Sequence, residues 1–211
     1  MVIIPLLTFL NFAQSCAPTV PPVTMAAIVK TESNFNPLAI GVNDKSKKIT
    51  QPNSVAEAIS LANNLISSGY SIDLGLGQIN SKNLPRLNLT VENIFDPCTN
   101  LKAVNAIFQE NYATYFPQSN SHSEALVKTL SAYNTGSPTK GVKNGYVQRV
   151  ISNSSFNPNP LPISVPVPAS LPTTTIPTPA PTSEEPKREE PKPTILVYED
   201  DAKSSDSVLV Y

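Results

Sequence analysis

The sequence predicts a mainly α domain with one small extended or hairpin element, followed by a disordered proline-rich tail. Three observations predict it. Helix-start and helix-stop signals recur through residues 1–155, and each pair brackets apolar residues at the three-to-four-residue spacing of a helical face. Strand-type alternation is scarce; its best stretch, Tyr70 to Asn80, is interrupted by Gly75 and Gly77. All seven glycines lie between Gly41 and Gly145, whereas twelve of the 22 prolines lie between Pro158 and Pro193, so a domain ends near residue 155 and a different regime begins. A domain of that length can bury a hydrophobic core of its own.

The elements follow in order. Val2 to Phe12 is apolar and uncharged, with Ile3, Leu6, Leu7, Leu10 and Ala13 on one helical stripe. The run is far short of the ~20 residues that span a bilayer. It lacks the basic start of a signal peptide, and Ala-Gln-Ser before Cys16 is a poor lipoprotein cleavage site. Residues 1–14 are therefore expected to form a first domain helix, with an atypical export signal as the alternative. Pro22 to Ser33 reads as the second helix, with Met25, Ile28 and Val29 on its apolar face. Ser54-Val55-Ala56-Glu57 is a capping box that opens a helix carrying Ile59, Ala62, Leu65 and Ile66, with Gly69 as its stop. Asp96-Pro97 starts another, through Leu101, Val104, Phe108, Tyr112 and Tyr115. Ser121-His122-Ser123-Glu124 is a further capping box, leading through Leu126, Val127 and Leu130 to Tyr133 and ending at Gly136. A last short helix is expected from about Val142 to Ile151.

Residues 156–193 form a linker of polyproline character; Pro158 to Pro193 would reach ~110 Å if fully extended in that form. Residues 194–211 are acidic and hold two β-prone strings, Thr194 to Tyr198 and Val208 to Tyr211. Disorder is the expectation there, and strand addition to a partner's sheet edge is the functional alternative.

Net charge excludes one class of partner. Residues 1–155 carry 8 acidic and 11 basic residues, a balance of +3, and the remainder carries 8 acidic and 4 basic, a balance of −4. Neither has the concentrated basic face that nucleic acid requires. Lys45, Lys47 and Lys48 read as a solvated loop tip. With two cysteines and one histidine the chain is short of ligands for a usual structural zinc site, and no cofactor motif is present. Cys16 and Cys98 could form a disulfide in an oxidising compartment or remain as two buried thiols.

Candidate chemistry emerges by elimination. The single histidine, His122, sits in a capping sequence and makes a poor nucleophile partner. Among the domain's carboxylates, Glu57, Glu124 and Asp96 serve as caps, Asp44 belongs to the lysine-rich loop, and Glu92 and Glu110 sit in polar surroundings. Two remain. Glu32 continues the apolar stripe of the second helix; Asp73, just before the glycines, could equally be a turn residue. A carboxyl on an apolar face has its charged form disfavoured, as a general acid near neutral pH requires, although a helix-end glutamate can also reach sideways to water. Glycoside hydrolysis usually takes two carboxylates. One strong candidate and one weak one point instead to a reaction in which the substrate supplies its own nucleophile.

The residues around Glu32 carry a wider resemblance. Glu32-Ser33-Asn34-Phe35-Asn36-Pro37-Leu38-Ala39-Ile40-Gly41 resembles the first motif of the lysozyme-like lytic transglycosylases, which holds their catalytic glutamate. Gly75-Leu76-Gly77-Gln78-Ile79-Asn80 looks like the second motif, Ala132-Tyr133-Asn134-Thr135-Gly136 is similar to the third, and Tyr146-Val147-Gln148-Arg149-Val150 resembles the closing tyrosine motif. The four occur in family order and cover roughly residues 15–151. The second motif, Cys-Ala-Pro at Cys16 and Phe-Asp-Pro-Cys-Thr-Asn-Leu around Cys98 look most like the transglycosylase component of bacterial type IV secretion systems. The chain departs from the pattern at Gly77, where the family often has methionine, and in lacking tryptophan, so stacking on sugars would fall to tyrosines such as Tyr133 and Tyr146.

The resemblance implies an α+β lysozyme-like fold over residues 1–155, a periplasmic location in a Gram-negative envelope, and peptidoglycan glycan strands as substrate. Glu32 would protonate the oxygen between N-acetylmuramic acid and N-acetylglucosamine, then take the proton of the muramic 6-hydroxyl as it closes onto C1. Ser33, Gly75, Gly77, Gln78, Asn80, Tyr133, Asn134 and Tyr146 would contact or shape the substrate site, the two glycines by letting backbone approach the glycan. Cys16 and Cys98 are expected to be bridged, and the C-terminal tail is a candidate contact to other secretion-system subunits. A hydrolytic muramidase of the same fold, with Asp73 positioning water, and a non-catalytic glycan-binding or assembly module are the alternatives.

Overall fold

The computed structural model describes residues 2–154; the linker and the β-prone strings expected beyond them lie outside the described residues. Seven α-helices, three single-turn 3-10 helices and a three-stranded antiparallel sheet make up the described chain; the α-helices and strands run in the order α1 (Leu6–Cys16), α2 (Pro22–Ser33), β1 (Ile40–Val42), α3 (Val55–Ser67), β2 (Ile72–Leu74), β3 (Ile79–Asn80), α4 (Pro97–Tyr115), α5 (His122–Thr135), α6 (Lys140–Lys143) and α7 (Tyr146–Ser154). The mainly α class with a small extended element is as the sequence predicts.

Helix α2 is the centre of the core. Pro22 opens it at a position where the missing N–H costs nothing, and the five consecutive residues Met25 to Val29 are all buried. Such all-round burial requires neighbours on several sides, and α1 and α7 provide them. Two successive non-glycine residues, Asn34 (φ 52°) and Phe35 (φ 62°), then turn the chain through left-handed conformations. Each costs on the order of 1 kcal/mol. Packing offsets that cost: Phe35 lies edge-on to Phe9 of α1 at 4.9 Å, and its carbonyl accepts the Ile4 N–H at 3.0 Å. The strained turn therefore directs the chain away immediately after Glu32.

Helix α1 is in place but its phase differs from the expected stripe. Phe9, Ala13 and Cys16 are buried, Leu6 and Leu10 flank them, and Leu7 and Ile3 are exposed. Thr8, Asn11 and Ser15 mark the solvent face at helical spacing, and Leu7 lies beside them, so the expected stripe took in one residue of the outward side. Its end is tied to the start of α4 by the Cys16–Cys98 disulfide, which closes a separation of 82 residues. Constraining a loop of that size in the unfolded chain is worth about 4 kcal/mol in the chain-entropy account.

The capping signals act where the sequence puts them. Ser54 Oγ accepts the Glu57 N–H, Asp96 Oδ1 the Thr99 N–H, and Ser121 Oγ the Glu124 N–H. In both capping boxes the glutamate reaches one residue further back than the standard form, to the N–H of Asn53 and of Asn120. Gly136 stops α5 in the left-handed conformation. Two expected faces shift by a residue: Ile66 of α3 and Leu126 of α5 are exposed, while Ala58 and Ala125 are buried. The single helix expected from about Val142 to Ile151 is two helices, because Asn144 and Gly145 (φ 77°) break it between α6 and α7.

Strand β1 has no counterpart in the sequence-based expectation, being too short to display a period. Its pairing decides the site. Ile40 faces Leu74, Gly41 faces Asp73 and Val42 faces Ile72; Asp73 in turn faces Asn80 across β2 and β3. Alternation puts Ile40, Ile72, Leu74 and Ile79 in the core, and aligns Gly41, Asp73 and Asn80 on the opposite face. The turn from β2 to β3 is fastened to α4 by Asn100, buried at 1% exposure. Its Nδ2 donates to the carbonyls of Leu74 (3.0 Å) and Ile94 (2.9 Å), and its Oδ1 accepts the Gly77 N–H at 2.8 Å.

Among the described residues no helix is long and apolar enough to cross a membrane.

Candidate active site

A polar cavity of about 180 Å³ opens between the end of α2, the sheet and α5. Glu32, Asp73, Gln78, Asn80, Tyr133 and Asn134 line it, together with Asn43, Ile79, Asn83 and Ile107. Three motifs distant in sequence thus converge on one concavity, and the fourth supports it from below. Tyr146, 1% exposed at the start of α7, donates its hydroxyl proton to Glu32 Oε1 at 2.6 Å.

Burial pushes the Glu32 carboxyl up to about 7. The Tyr146 hydrogen bond opposes that shift, the Asp73 charge adds to it, and the Arg149 charge opposes it. Asp73 is also raised, by burial, against hydrogen bonds from Asn80 and Asn43; Asn80 Nδ2 reaches its Oδ1 at 2.7 Å. Burial, and then the Glu32 charge, hold the Tyr146 hydroxyl well above the ordinary phenol range, so it remains a donor at every working pH. With Oε1 occupied by that donor, the carboxyl proton of Glu32 resides on Oε2. A partly exposed acid with a value near neutral, one oxygen held and the other free, has the properties of a general acid that becomes a general base.

The polar groups are held before any ligand arrives. Gln78 sits in a left-handed conformation (φ 49°) and spends Nε2 on the carbonyls of Gly75 (2.9 Å) and Ala39 (3.1 Å), leaving Oε1 as its free end. Gly41 makes room for it, since a Cβ there would lie 2.7 Å from Gln78 Oε1. Tyr133 donates to the Gly77 carbonyl at 2.7 Å, so its hydroxyl is engaged with the second-motif turn.

Of the residues expected from sequence, Glu32, Gln78, Asn80, Tyr133 and Asn134 line the cavity and Tyr146 contacts Glu32 directly. Ser33, Gly75 and Gly77 are not among the lining residues. Ser33 Oγ turns back to the Val29 carbonyl at 3.3 Å. The glycines have an internal reason: a Cβ at Gly75 would meet Asn100 at 2.2 Å, and one at Gly77 would meet Val104 at 2.1 Å. Their open sides are filled by α4.

Asn43, Asn83 and Ile107 escaped sequence reasoning and left no local signal. Asp73 was only a weak candidate; its alternation with Ile72 and Leu74 on one strand is the signal that marks it as facing the cleft with Asn80. The remaining carboxylates occupy the structural places expected: Glu110 pairs with Arg86 at 2.8 Å, Glu124 with Lys128 at 2.8 Å, and Asp44 accepts from Ser46. His122 is exposed, bonds the Tyr112 hydroxyl at 2.7 Å and lines a separate, larger apolar groove of about 580 Å³ that no carboxylate borders.

Residues 9–156 match the family described as "Transglycosylase SLT domain". The chain is 41% identical over 152 residues to the type IV secretion system protein virB1 of Brucella abortus biovar 1 (strain 9-941), covering 69% of this chain and 63% of that protein. It is 39% identical over 142 residues to the protein virB1 of Agrobacterium fabrum (strain C58), covering 67% of this chain and 57% of the relative. The matches therefore span less than two thirds of these relatives' own length. No solved structure matches.

Proposed function

The chain belongs to the transglycosylase SLT domain family, and from that membership we propose that it is a lytic transglycosylase. It would cleave the β-1,4 bond from N-acetylmuramic acid to N-acetylglucosamine in the periplasm and open the cell wall locally for a type IV secretion system. The observation that carries the reading is Glu32, lodged in a polar cleft, raised to about 7 and held through one oxygen by Tyr146.

The reaction needs one acid that changes role. Protonated Glu32 gives its proton to the glycosidic oxygen as the C1–O bond breaks, and N-acetylglucosamine leaves with a free hydroxyl. The muramic 6-hydroxyl then attacks C1, and its proton returns to the Glu32 carboxylate. A 1,6-anhydro ring forms, no water is consumed and the enzyme regains its starting protonation. A value near 7 suits both halves, because the group is protonated often enough to donate and weakly acidic enough to recover the proton. Asn134, Gln78 and Asn80 would hold the sugars, and Tyr133 and Tyr146 would keep the wall and the acid in place.

One observation favours a second reading. Asp73 lines the same cleft with its carboxyl raised, where it could orient a water molecule as in a hydrolytic muramidase. Mass analysis of the fragments from purified peptidoglycan decides between them, since anhydro ends lack one water relative to reducing ends. Anhydro ends are expected; new termini that are all reducing would replace the proposal with the muramidase. Glu32→Gln should abolish turnover while glycan binding persists, and undiminished turnover would place the chemistry elsewhere.

A further inference from the structure

Asn134 lines the Glu32 cleft, and a carboxamide can offer a ligand either its oxygen or its amino group. A backbone N–H decides which. The Tyr146 N–H can only donate, and it bonds Asn144 Oδ1 at 2.9 Å. That identifies the other end of Asn144 as Nδ2, which donates to Asn134 Oδ1 at 3.0 Å. With Oδ1 engaged, Asn134 has Nδ2 left for the cavity. The polarity passes from a fixed main-chain donor through two side chains, and neither amide can flip without setting two like groups against each other.

Asn144 is not among the residues lining the cleft, yet it is well anchored for this task. It terminates α6, its N–H bonds the Lys140 carbonyl at 3.0 Å, and its own carbonyl accepts Arg149 Nη1 at 3.2 Å. Gln78 shows the opposite polarity, with both N–H groups of Nε2 donated to backbone carbonyls and Oε1 left toward the cleft. The cleft thus presents an acceptor at Gln78 and a donor at Asn134.

We propose that Asn144 is a positioning residue that locks Asn134 as a hydrogen-bond donor, so that Asn134 takes a carbonyl oxygen of the bound strand, of the kind an N-acetyl group carries. The proposal rests on the reading of the cleft as a glycan site. Asn144→Asp is the informative variant. The new carboxylate still accepts the Tyr146 N–H, so the turn into α7 is kept. Its second oxygen repels Asn134 Oδ1, and Asn134 rotates to donate to it, turning its own oxygen to the cleft.

The test measures binding of soluble, uncross-linked peptidoglycan strands to the full chain carrying Glu32→Gln, alone and with Asn144→Asp, Asn134→Ala or both. Working in the Glu32→Gln background removes any effect of the new charge on the acid itself. The expected result is that Asn144→Asp weakens Kd about tenfold when Asn134 is present and changes it little when position 134 is Ala. Equal weakening in both backgrounds, or none in either, overturns the relay while leaving the glycan site standing. Absence of strand binding by the Glu32→Gln parent overturns the glycan site and the relay with it.

Discussion

The Tyr146 hydroxyl donates to Glu32 Oε1 across 2.6 Å, joining two residues 114 positions apart. The bond aligns the acid and partly offsets the burial that raises it.

Tyr146→Phe removes a hydrogen-bond donor to that oxygen and keeps the ring that fills the core. The Glu32 carboxyl should then rise further above 7, because the interaction lost favours the ionised form. Activity that requires protonated Glu32 declines as pH passes its value, so the descending limb of the kcat/KM profile should move to higher pH. The maximum should fall about tenfold as the carboxyl loses its orientation. A limb that moves to lower pH contradicts this account.

Glu32→Gln should change stability in a pH-dependent way. The folded-state value of about 7 lies above the ordinary 4.5, so the native state holds this proton more tightly than the unfolded chain. The resulting stabilisation is complete below about 4.5 and is lost as pH rises through about 7. The variant has no such group to ionise. It should therefore gain on the wild type between those limits, by up to about 3 kcal/mol and by less in practice because the side chain is partly exposed. Urea unfolding at pH 4.5 and pH 8 measures the difference; a gap that is the same at both values refutes the assignment.

Asp73→Asn keeps an oxygen to accept the Asn80 amide and removes a charge that raises Glu32. The descending limb should shift to lower pH, and anhydro products should persist at a rate within about tenfold of wild type. Disappearance of products altogether would make Asp73 a direct participant.

Gly77→Ala should destabilise through packing. Its Cβ would lie 2.1 Å from Val104 Cγ2 and 2.9 Å from the Tyr133 hydroxyl, both on helices fixed by the core. Overpacking of this kind costs roughly 1–3 kcal/mol. A lowered Tm, with the Tyr133 contact displaced, is the expected outcome; an unchanged Tm would mean the turn and α4 separate freely.

Helix boundaries were legible because they are local. Ser54, Asp96 and Ser121 cap their helices through N–H groups three residues away, and Gly136 ends α5 by its own conformation, so a short window contains the whole cause. Glu32 stood out for a local reason too, as the continuation of an apolar stripe and one of two carboxylates left without a structural post. The inward face of α1 was legible only in part: Thr8, Asn11 and Ser15 mark the solvent side, but Leu7 and Phe9 are equally apolar, and the contact with Phe35 and the Cys98 bridge choose between them.

The sequence by itself determined the helical class and the capped segments, and it singled out Glu32. Tertiary structure decided what surrounds that acid. The register of three very short strands aligns Asp73 with Asn80, a buried Asn100 holds the turn that carries Gln78, and a main-chain N–H at Tyr146 orients Asn144 and, through it, Asn134. Each depends on partners far apart in the chain, and a hydrogen bond's direction is settled only when both ends are in place.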